Sequence, residues 1–345
     1  MEISYSLRTG IERLDKIDLK IIQLLLINSR ISLKNLSIIL KRSKEAIRLR
    51  IKSLEKKGII TGYPCIIDFD KVDVQRYFFK ISLKGTLIEK QNFISSLKRF
   101  NELIVFAEVS NEIHLIVFVK SKGMLDSFIT KIFLNKMISH LEYSKVLKFH
   151  YSPPILFEFE KDKEFKRILS KFSLKPSKGK DINVDVTDLK ILKILSEHSN
   201  IKLSDLSEKL KIPRDTLKYR INRLLETGII KSFYIYVELH KLGYTTYIMQ
   251  IAVSNRTKLD EIINYLQNHS LTNGVTELDN VCNLFTAFYV KDSKEAIKFE
   301  EEFLKKFGDA IFEHSIDIFK EQVVLREFPD KLSFNSSKAY KIDSL

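Results

Sequence analysis

The chain has 345 residues, 44% of them hydrophobic, which is room for two to four domains and too apolar for a disordered chain. Its formal net charge of +14 favours a polyanionic partner, because neutralised phosphates release condensed counterions. Two cysteines, Cys65 and Cys282, exclude a disulfide framework and a cysteine-rich zinc site.

The opening Met1-Glu2-Ile3-Ser4-Tyr5-Ser6 lacks the basic-then-apolar profile of a signal peptide. No apolar run reaches the ~18 residues that span a bilayer, so a soluble cytoplasmic protein is expected. A lysine-rich surface selected for solubility would carry the same charge, so motifs must decide the partner.

From Asp15 to Asn28, the residues Ile17, Ile21, Leu24 and Leu25 recur at helical spacing. Ser32 is placed to cap a second helix with Leu33, Leu36, Ile39 and Leu40 inward. After a tight turn at Lys41-Arg42, Ser43 caps a third helix that runs to Lys57 with Ile47, Ile51 and Leu54 inward. Gly58 supplies a left-handed stop. Ile59–Tyr63 and Cys65–Phe69 then read as the two strands of a β-hairpin wing. Three short helices and a hairpin describe a winged helix-turn-helix.

Residues from about 75 to 150 read strand, helix, strand, strand, helix, strand. The strands are Tyr77–Leu83, Leu103–Val109, Ile113–Val119 and Lys145–Phe149, and the helices lie near Ile88–Phe100 and Met124–Lys136. That order is ferredoxin-like, βαββαβ.

The pattern then repeats. Asp18-Leu19-Lys20-Ile21-Ile22, Arg50-Ile51 and Gly58-Ile59-Ile60 recur as Asp188-Leu189-Lys190-Ile191-Leu192, Arg220-Ile221 and Gly228-Ile229-Ile230. The offset is a constant 170 residues, which chance similarity would not hold over this length. The repeat extends into the second domain, where the offset drifts slightly (Val119-Lys120 matches Val290-Lys291), with Tyr247–Val253, Val275–Leu278, Leu284–Val290 and Ser315–Phe319 as strands. The accompanying helices lie near Leu259–Gln267 and Ser293–Phe307.

The expected fold class is therefore α+β, a tandem repeat of winged helix-turn-helix followed by a ferredoxin-like domain. Residues 12–70 and 184–240 are the winged units, and 71–160 and 241–330 the ferredoxin-like ones. Between them 161–183 is a basic linker with one short helix, and 331–345 a C-terminal tail.

On the third helix the outward face carries Lys44, Glu45, Arg48 and Lys52; its counterpart carries Arg214, Asp215, Lys218 and Asn222. Such a face enters the major groove, where Lys and Arg meet guanine edges or phosphates. Pro213 is read at the first helical position of that counterpart. With Ser43, Arg50 and Arg220 added, these residues form the expected DNA-contacting set.

Asp15-x-x-Asp18-x-x-Ile21, Asn28-Ser29-Arg30 and Ser43-x-x-x-Ile47-x-x-Arg50-Ile51-x-x-Leu54-Glu55-x-x-Gly58-Ile59-Ile60 resemble the DNA-binding signature of Lrp/AsnC regulators. The second copy resembles it through Asp185-x-x-Asp188-x-x-Ile191 and Leu217-x-x-Arg220-Ile221-x-x-Leu224-x-x-x-Gly228-Ile229-Ile230. It departs where Pro213 replaces the capping serine and Asn200 the usual arginine, so the two readers are expected to differ.

The resemblance implies that the ferredoxin-like sheets pair face to face and that amino acids bind at clefts between dimers. Ser110-Asn111-Glu112 and Asp279-Asn280 stand where the family has a Gly-x-x-Asp turn near the ligand. Dimerisation is therefore favoured over amino-acid sensing, and no cofactor is expected. In a duplicated chain the two sheets can meet within one molecule, at high effective concentration. The expected partners are double-stranded DNA and a ferredoxin-like domain of the same or another chain.

An enzymatic reading is weaker. The seven histidines show no metal-ligand or triad spacing, and no glycine-rich phosphate loop occurs. The alternative is a decarboxylase of sirohaem, since a branch resembling this family uses the same architecture for that chemistry. Against it stand the basic recognition helices and the lack of a clear His/Arg cluster along the sheet. A non-specific, chromatin-like coating protein is the other alternative.

Overall fold

The computed structural model describes residues 3–6, 11–173 (except 98, 111, 157, 158 and 160), 183–324 and 328–329. The first copy opens with strand β1 (Ile3–Ser6) and helices α1 (Lys16–Ile27), α2 (Leu33–Leu40) and α3 (Lys44–Lys56). Each helix starts on a side chain that satisfies otherwise orphaned amides. Asp15 accepts from Ile17 and Asp18, Ser32 from Asn35, and Ser43 from Ala46. Lys41 makes the tight turn in left-handed conformation (φ 52), and Gly58 (φ 63) ends α3.

Strands β2 (Ile60–Gly62) and β3 (Cys65–Ile67) follow, then β4 (Gln75–Leu83), α4 (Leu87–Leu97), β5 (Leu103–Val109) and β6 (Glu112–Val119). Helix α5 (Lys122–Phe133) and strand β7 (Ile138–His150) complete the copy, and α6 (Lys163–Phe172) packs back on α1. The tie is polar as well as apolar. Gln23, fully buried on α1, donates to Pro154 O and accepts from Leu156 N, while Phe165 and Leu169 of α6 join the same core.

The second copy has α7 (Val186–Glu197), α8 (Leu203–Leu210), α9 (Arg214–Glu226), β8 (Ile230–Phe233) and β9 (Tyr236–Val237). Its ferredoxin-like part is β10 (Thr245–Val253), α10 (Leu259–Asn268), β11 (Thr272–Leu278), β12 (Leu284–Val290), α11 (Ser293–Phe307) and β13 (Ile311–Val324). Pro213 is the N-cap rather than the first helical residue: its ψ of 141 is extended, and no side chain caps the helix there.

The wings depart from expectation. They are not two hairpins: β2 pairs with β9 and β3 with β8, so each copy's wing strands lie against the other copy's. Tight hairpin loops need positive φ at their centre, and Pro64, between β2 and β3, is held near −65°. Its carbonyl instead accepts from the Tyr234 amide across the junction. Consequently Ile235, Val237 and Leu239 belong to the core of the first winged domain. Cys65, Ile67 and Phe69 belong to that of the second.

The fourth ferredoxin-like strands are also longer than Lys145–Phe149 and Ser315–Phe319, because each serves two partners. β7 pairs with β4 through Lys145 and with β11 from Val146 to His150. β13 pairs with β10 through Ile318 and with β5 from Phe319 to Val324. The sheet order β13-β10-β12-β11-β7-β4-β6-β5 thus closes on itself, with β1 added on β13. The turns that depart from the family pattern sit at these crossings: Ser110 N donates to Ile318 O, and Lys145 N to Asp279 Oδ1. Asn111 lies outside the described residues, as does 331–345.

Alternation along the strands divides the faces. Phe79, Ile81, Met249 and Ile251 point outward beneath the helices. Phe78, Ile248 and Phe285 point inward. Between the inner faces and the wings lies a cavity of about 380 Å³ lined by both copies. Arg76 of β4, His114 of β6 and His240, beyond β9, are among the residues that line it.

Candidate nucleic-acid interface

Burial of Ile47 and Leu54 on α3, and of Leu217, Ile221 and Leu224 on α9, fixes which face each helix shows to solvent. Lys44, Glu45, Arg48 and Lys52 are exposed on α3, and Arg214, Asp215, Lys218 and Asn222 on α9. Ser43 is exposed as well, with its hydroxyl engaged at the Ala46 amide, 3.1 Å away. Arg48 makes a two-pronged pair with Glu45, at 2.9 and 2.5 Å. That contact holds the Glu45 carboxyl below its ordinary value and orients the guanidinium along the exposed face.

Arg50 and Arg220 are employed differently. Arg50 Nη1 lies 2.7 Å from both Asp15 Oδ2 and Asp18 Oδ1, pinning α3 to the first turn of α1. Arg220 Nη1 repeats this at 2.7 Å from Asp185 Oδ2 and 2.8 Å from Asp188 Oδ1. Arg223 adds a contact to Asp188, whose side chain is fully buried. The Asp-x-x-Asp…Arg pattern is thus a bolt that sets the angle of each recognition helix.

Two residues that the helical spacing did not single out stand on the same exposed faces. Leu49 and Tyr219 occupy equivalent positions and are 56% and 66% exposed. Their signal was present, since both fall out of phase with the inward stripe. An exposed apolar group on such a helix suits contact with a thymine methyl.

The copies also differ around the helices. Arg30 lies over the Phe233 ring at 4.8 Å and donates to Ile201 O, and burial depresses its pKa. Its counterpart Asn200 is exposed. Tyr63 donates to Glu55, whereas Phe233 and Leu225 stand in those places in the second copy.

Comparison with known proteins places this geometry. The winged helix-turn-helix DNA-binding family model matches residues 14–61 and 184–231. An uncharacterised HTH-type transcriptional regulator of Pyrococcus abyssi is 30% identical over 128 residues, 37% of this chain and 86% of that protein. Another from Pyrococcus furiosus is 43% identical over 68 residues, 19% of this chain and 45% of that protein. Among solved structures, the siroheme decarboxylase NirDL superposes with a TM-score of 0.58 at 10% identity, covering 91% of this chain and 93% of that one. At that identity the likeness is one of fold alone. AsnC of Escherichia coli, at 24% identity and a TM-score of 0.35, covers 40% of this chain and 94% of its own. Among the described residues no helix is long and apolar enough to cross a membrane. The chain belongs to the HTH-type transcriptional regulators, with the winged helix-turn-helix DNA-binding unit present twice in one polypeptide.

Proposed function

We propose that this protein regulates transcription in the cytoplasm as a single-chain, pseudo-twofold dimer that reads double-stranded DNA with α3 and α9. The observation that carries the reading is the exchange of wing strands. Because β2–β9 and β3–β8 tie the two winged domains together, the recognition helices act as one unit rather than as beads on a linker. The ferredoxin-like domains associate within the chain through β7–β11 and β13–β5.

Lys44, Glu45, Arg48 and Lys52 read one half-site, and Arg214, Asp215, Lys218 and Asn222 the other, with Leu49 and Tyr219 beside them. Ser43, Arg50 and Arg220 serve by fixing the helices. Since the two faces differ in sequence, the site is an imperfect palindrome, its halves about one helical turn (~10 bp) or a multiple apart.

Selection of bound duplexes from a random pool at two salt concentrations tests this. Enrichment of two unlike half-sites, with affinity falling steeply as salt rises, supports it. Salt-sensitive binding with no enriched motif would instead mean a coating protein.

The sirohaem-decarboxylase alternative has in its favour the shared fold and the Arg76, His114 and His240 side chains around one cavity. A spectral titration with sirohaem that leaves the absorbance unchanged removes this alternative.

A further inference from the structure

We propose that the central cavity is a binding site for a small aromatic carboxylate, its acid group on Arg76 and its far end on His114. This does not depend on the DNA-binding reading.

The cavity straddles the pseudo-twofold axis, so nearly every wall position occurs twice. Several positions differ in kind between the copies, Ala107 against Thr276 for one, and two of them bear on the ligand. Arg76 of β4 corresponds to Thr246 of β10, and His114 of β6 to Phe285 of β12; all four line the cavity. Strand register supports the match, since His114 lies opposite Lys80 in one copy and Phe285 opposite Gln250 in the other. The fold evidently accepts neutral residues at both places, so packing does not require a guanidinium and an imidazole there.

Both groups are nine-tenths or more buried: His114 is 4% exposed and Arg76 9%. Neither ring nitrogen of His114 has a hydrogen-bond partner, and nor does Arg76 Nε. Each has one carboxylate within ion-pair range, Glu112 at 3.6 Å from His114 Nε2 and Asp70 at 3.6 Å from Arg76 Nη2, too far for a hydrogen bond. Buried polar atoms are normally satisfied, and leaving them unpaired is costly. The Arg76 fork keeps donors for a second acceptor, and a carboxylate is the group whose geometry it matches.

The span and the walls set the rest of the ligand. Arg76 and His114 are four residues apart along the β4–β6 ladder, Arg76 opposite Phe118 and His114 opposite Lys80. That is about 13 Å of strand, shortened by two side chains reaching inward. Phe78 lies between them and touches His114 edge-on at 5.1 Å and Phe285 at 5.1 Å. A flat ring fits against this aromatic wall, in a cavity of about 380 Å³. An aryl or indolyl acid with a hydrogen-bonding group on its distal edge satisfies all three constraints.

The test uses the full chain with 4-hydroxyphenylacetate and indole-3-acetate as probes, followed by calorimetry, beside phenylacetate and the uncharged 4-hydroxyphenylacetamide. The expected result is saturable binding of an acid, at least tenfold weaker binding of the amide, and loss of at least tenfold on Arg76→Thr. His114→Phe should abolish the preference for 4-hydroxyphenylacetate over phenylacetate. Both substitutions install the residue that the other copy already carries, and thermal melting checks that each variant folds. Equal binding of acid and amide, undiminished binding by folded Arg76→Thr, or no saturable binding of either acid overturns the proposal. Should Arg76→Thr not fold, the acid-against-amide comparison on the unaltered chain decides.

Discussion

The hydroxyls of Ser29 and Ser199 meet at 2.9 Å, and the two serines are the same residue of the repeat, 170 positions apart. A residue that touches its own counterpart lies on the axis relating the copies. Their amides leave the axis symmetrically, Ser29 N to Phe233 O and Ser199 N to Tyr63 O, each reaching the other copy's wing. The contact is buried, with the serines 7% and 0% exposed. It couples the end of each first helix to the opposite wing.

Replacing one serine by alanine strands the other hydroxyl in a dry place, at a cost of about 1–3 kcal/mol. Replacing both removes the stranded group, so the double variant should lose less than the sum of the singles. Urea unfolding of Ser29→Ala, Ser199→Ala and the pair measures this. Strict additivity would show that the two hydroxyls do not interact in solution.

Arginines on the same helix should separate into two kinds. Arg48→Ala with Lys218→Ala should weaken DNA binding and lower the salt slope by about 0.9 for each phosphate that is no longer neutralised, leaving unfolding unchanged. Arg50→Ala and Arg220→Ala should act on stability, and unequally. Asp18 keeps access to water with its side chain 19% exposed, so losing Arg50 costs about 1 kcal/mol. Asp188 is fully buried and is held by Arg223 as well, so losing Arg220 alone costs about 1–3 kcal/mol, and losing both arginines, which strands the carboxylate, costs about 3–5 kcal/mol. Chemical denaturation beside a binding titration distinguishes the classes. An Arg50→Ala chain that unfolds normally but loses DNA would reverse the assignment.

Leu49 and Tyr219 should set half-site preference rather than overall affinity. Leu49→Tyr makes the two outward faces more alike, and the selected site should become more palindromic. Discrimination at the affected base pair should change by about 1–3 kcal/mol. Sequencing of selected duplexes reads this directly, and an unchanged motif would place both side chains away from the bases.

Much of this architecture was legible because local signals carry it. Asp15, Ser32 and Ser43 announce their helices as side-chain caps, and the constant offset exposes the duplication. What could not be read was pairing over distance. Nothing near Ile60 or Cys65 says that the partner strand lies in the second copy, although Pro64 argues against a tight hairpin. The lengths of β7 and β13 were hidden for the same reason, as half of each pairs with a strand of the other copy. Nor does local sequence show that Asp15 and Asp18 lie beside Arg50, which was placed in the DNA-contacting set. Arg76 and His114 are unremarkable in sequence and become neighbours of one cavity only through the β4–β6 register.

Acid should act through Glu112. The adjacent His114 imidazole and Lys80, 3.3 Å away, hold this carboxyl down to about 2, against an ordinary 4.5. Because the folded-state value is the lower one, the stabilisation is complete above pH 4.5 and is lost as pH falls from there toward 2. Glu112→Gln should therefore flatten the stability profile in that window, on the order of 1–3 kcal/mol, and change little at pH 7 beyond a constant offset. Denaturation midpoints at a series of pH values check it; a profile as steep as that of the unaltered chain would place the acid-sensitive carboxylates elsewhere.

The two halves of the chain should be unable to fold apart. The first winged core contains Ile235, Val237 and Leu239, and the second contains Cys65, Ile67 and Phe69. An isolated half would expose those gaps and leave the Phe319–Val324 and Val146–His150 extensions without partners. Fragments 1–173 and 183–345 should each be insoluble or molten alone, yet co-expression should give a complex that stays together on gel filtration. The apolar exchange is large enough that the linker is needed for effective concentration and not for the contacts themselves. A fragment 1–173 that folds alone as a monomer with a cooperative transition would mean that its wing can pair within its own copy. A fragment that folds only as a homodimer would mean that a second first copy can take the place of the second one. That outcome would locate the asymmetry of the molecule in Arg76, His114 and the two recognition helices alone.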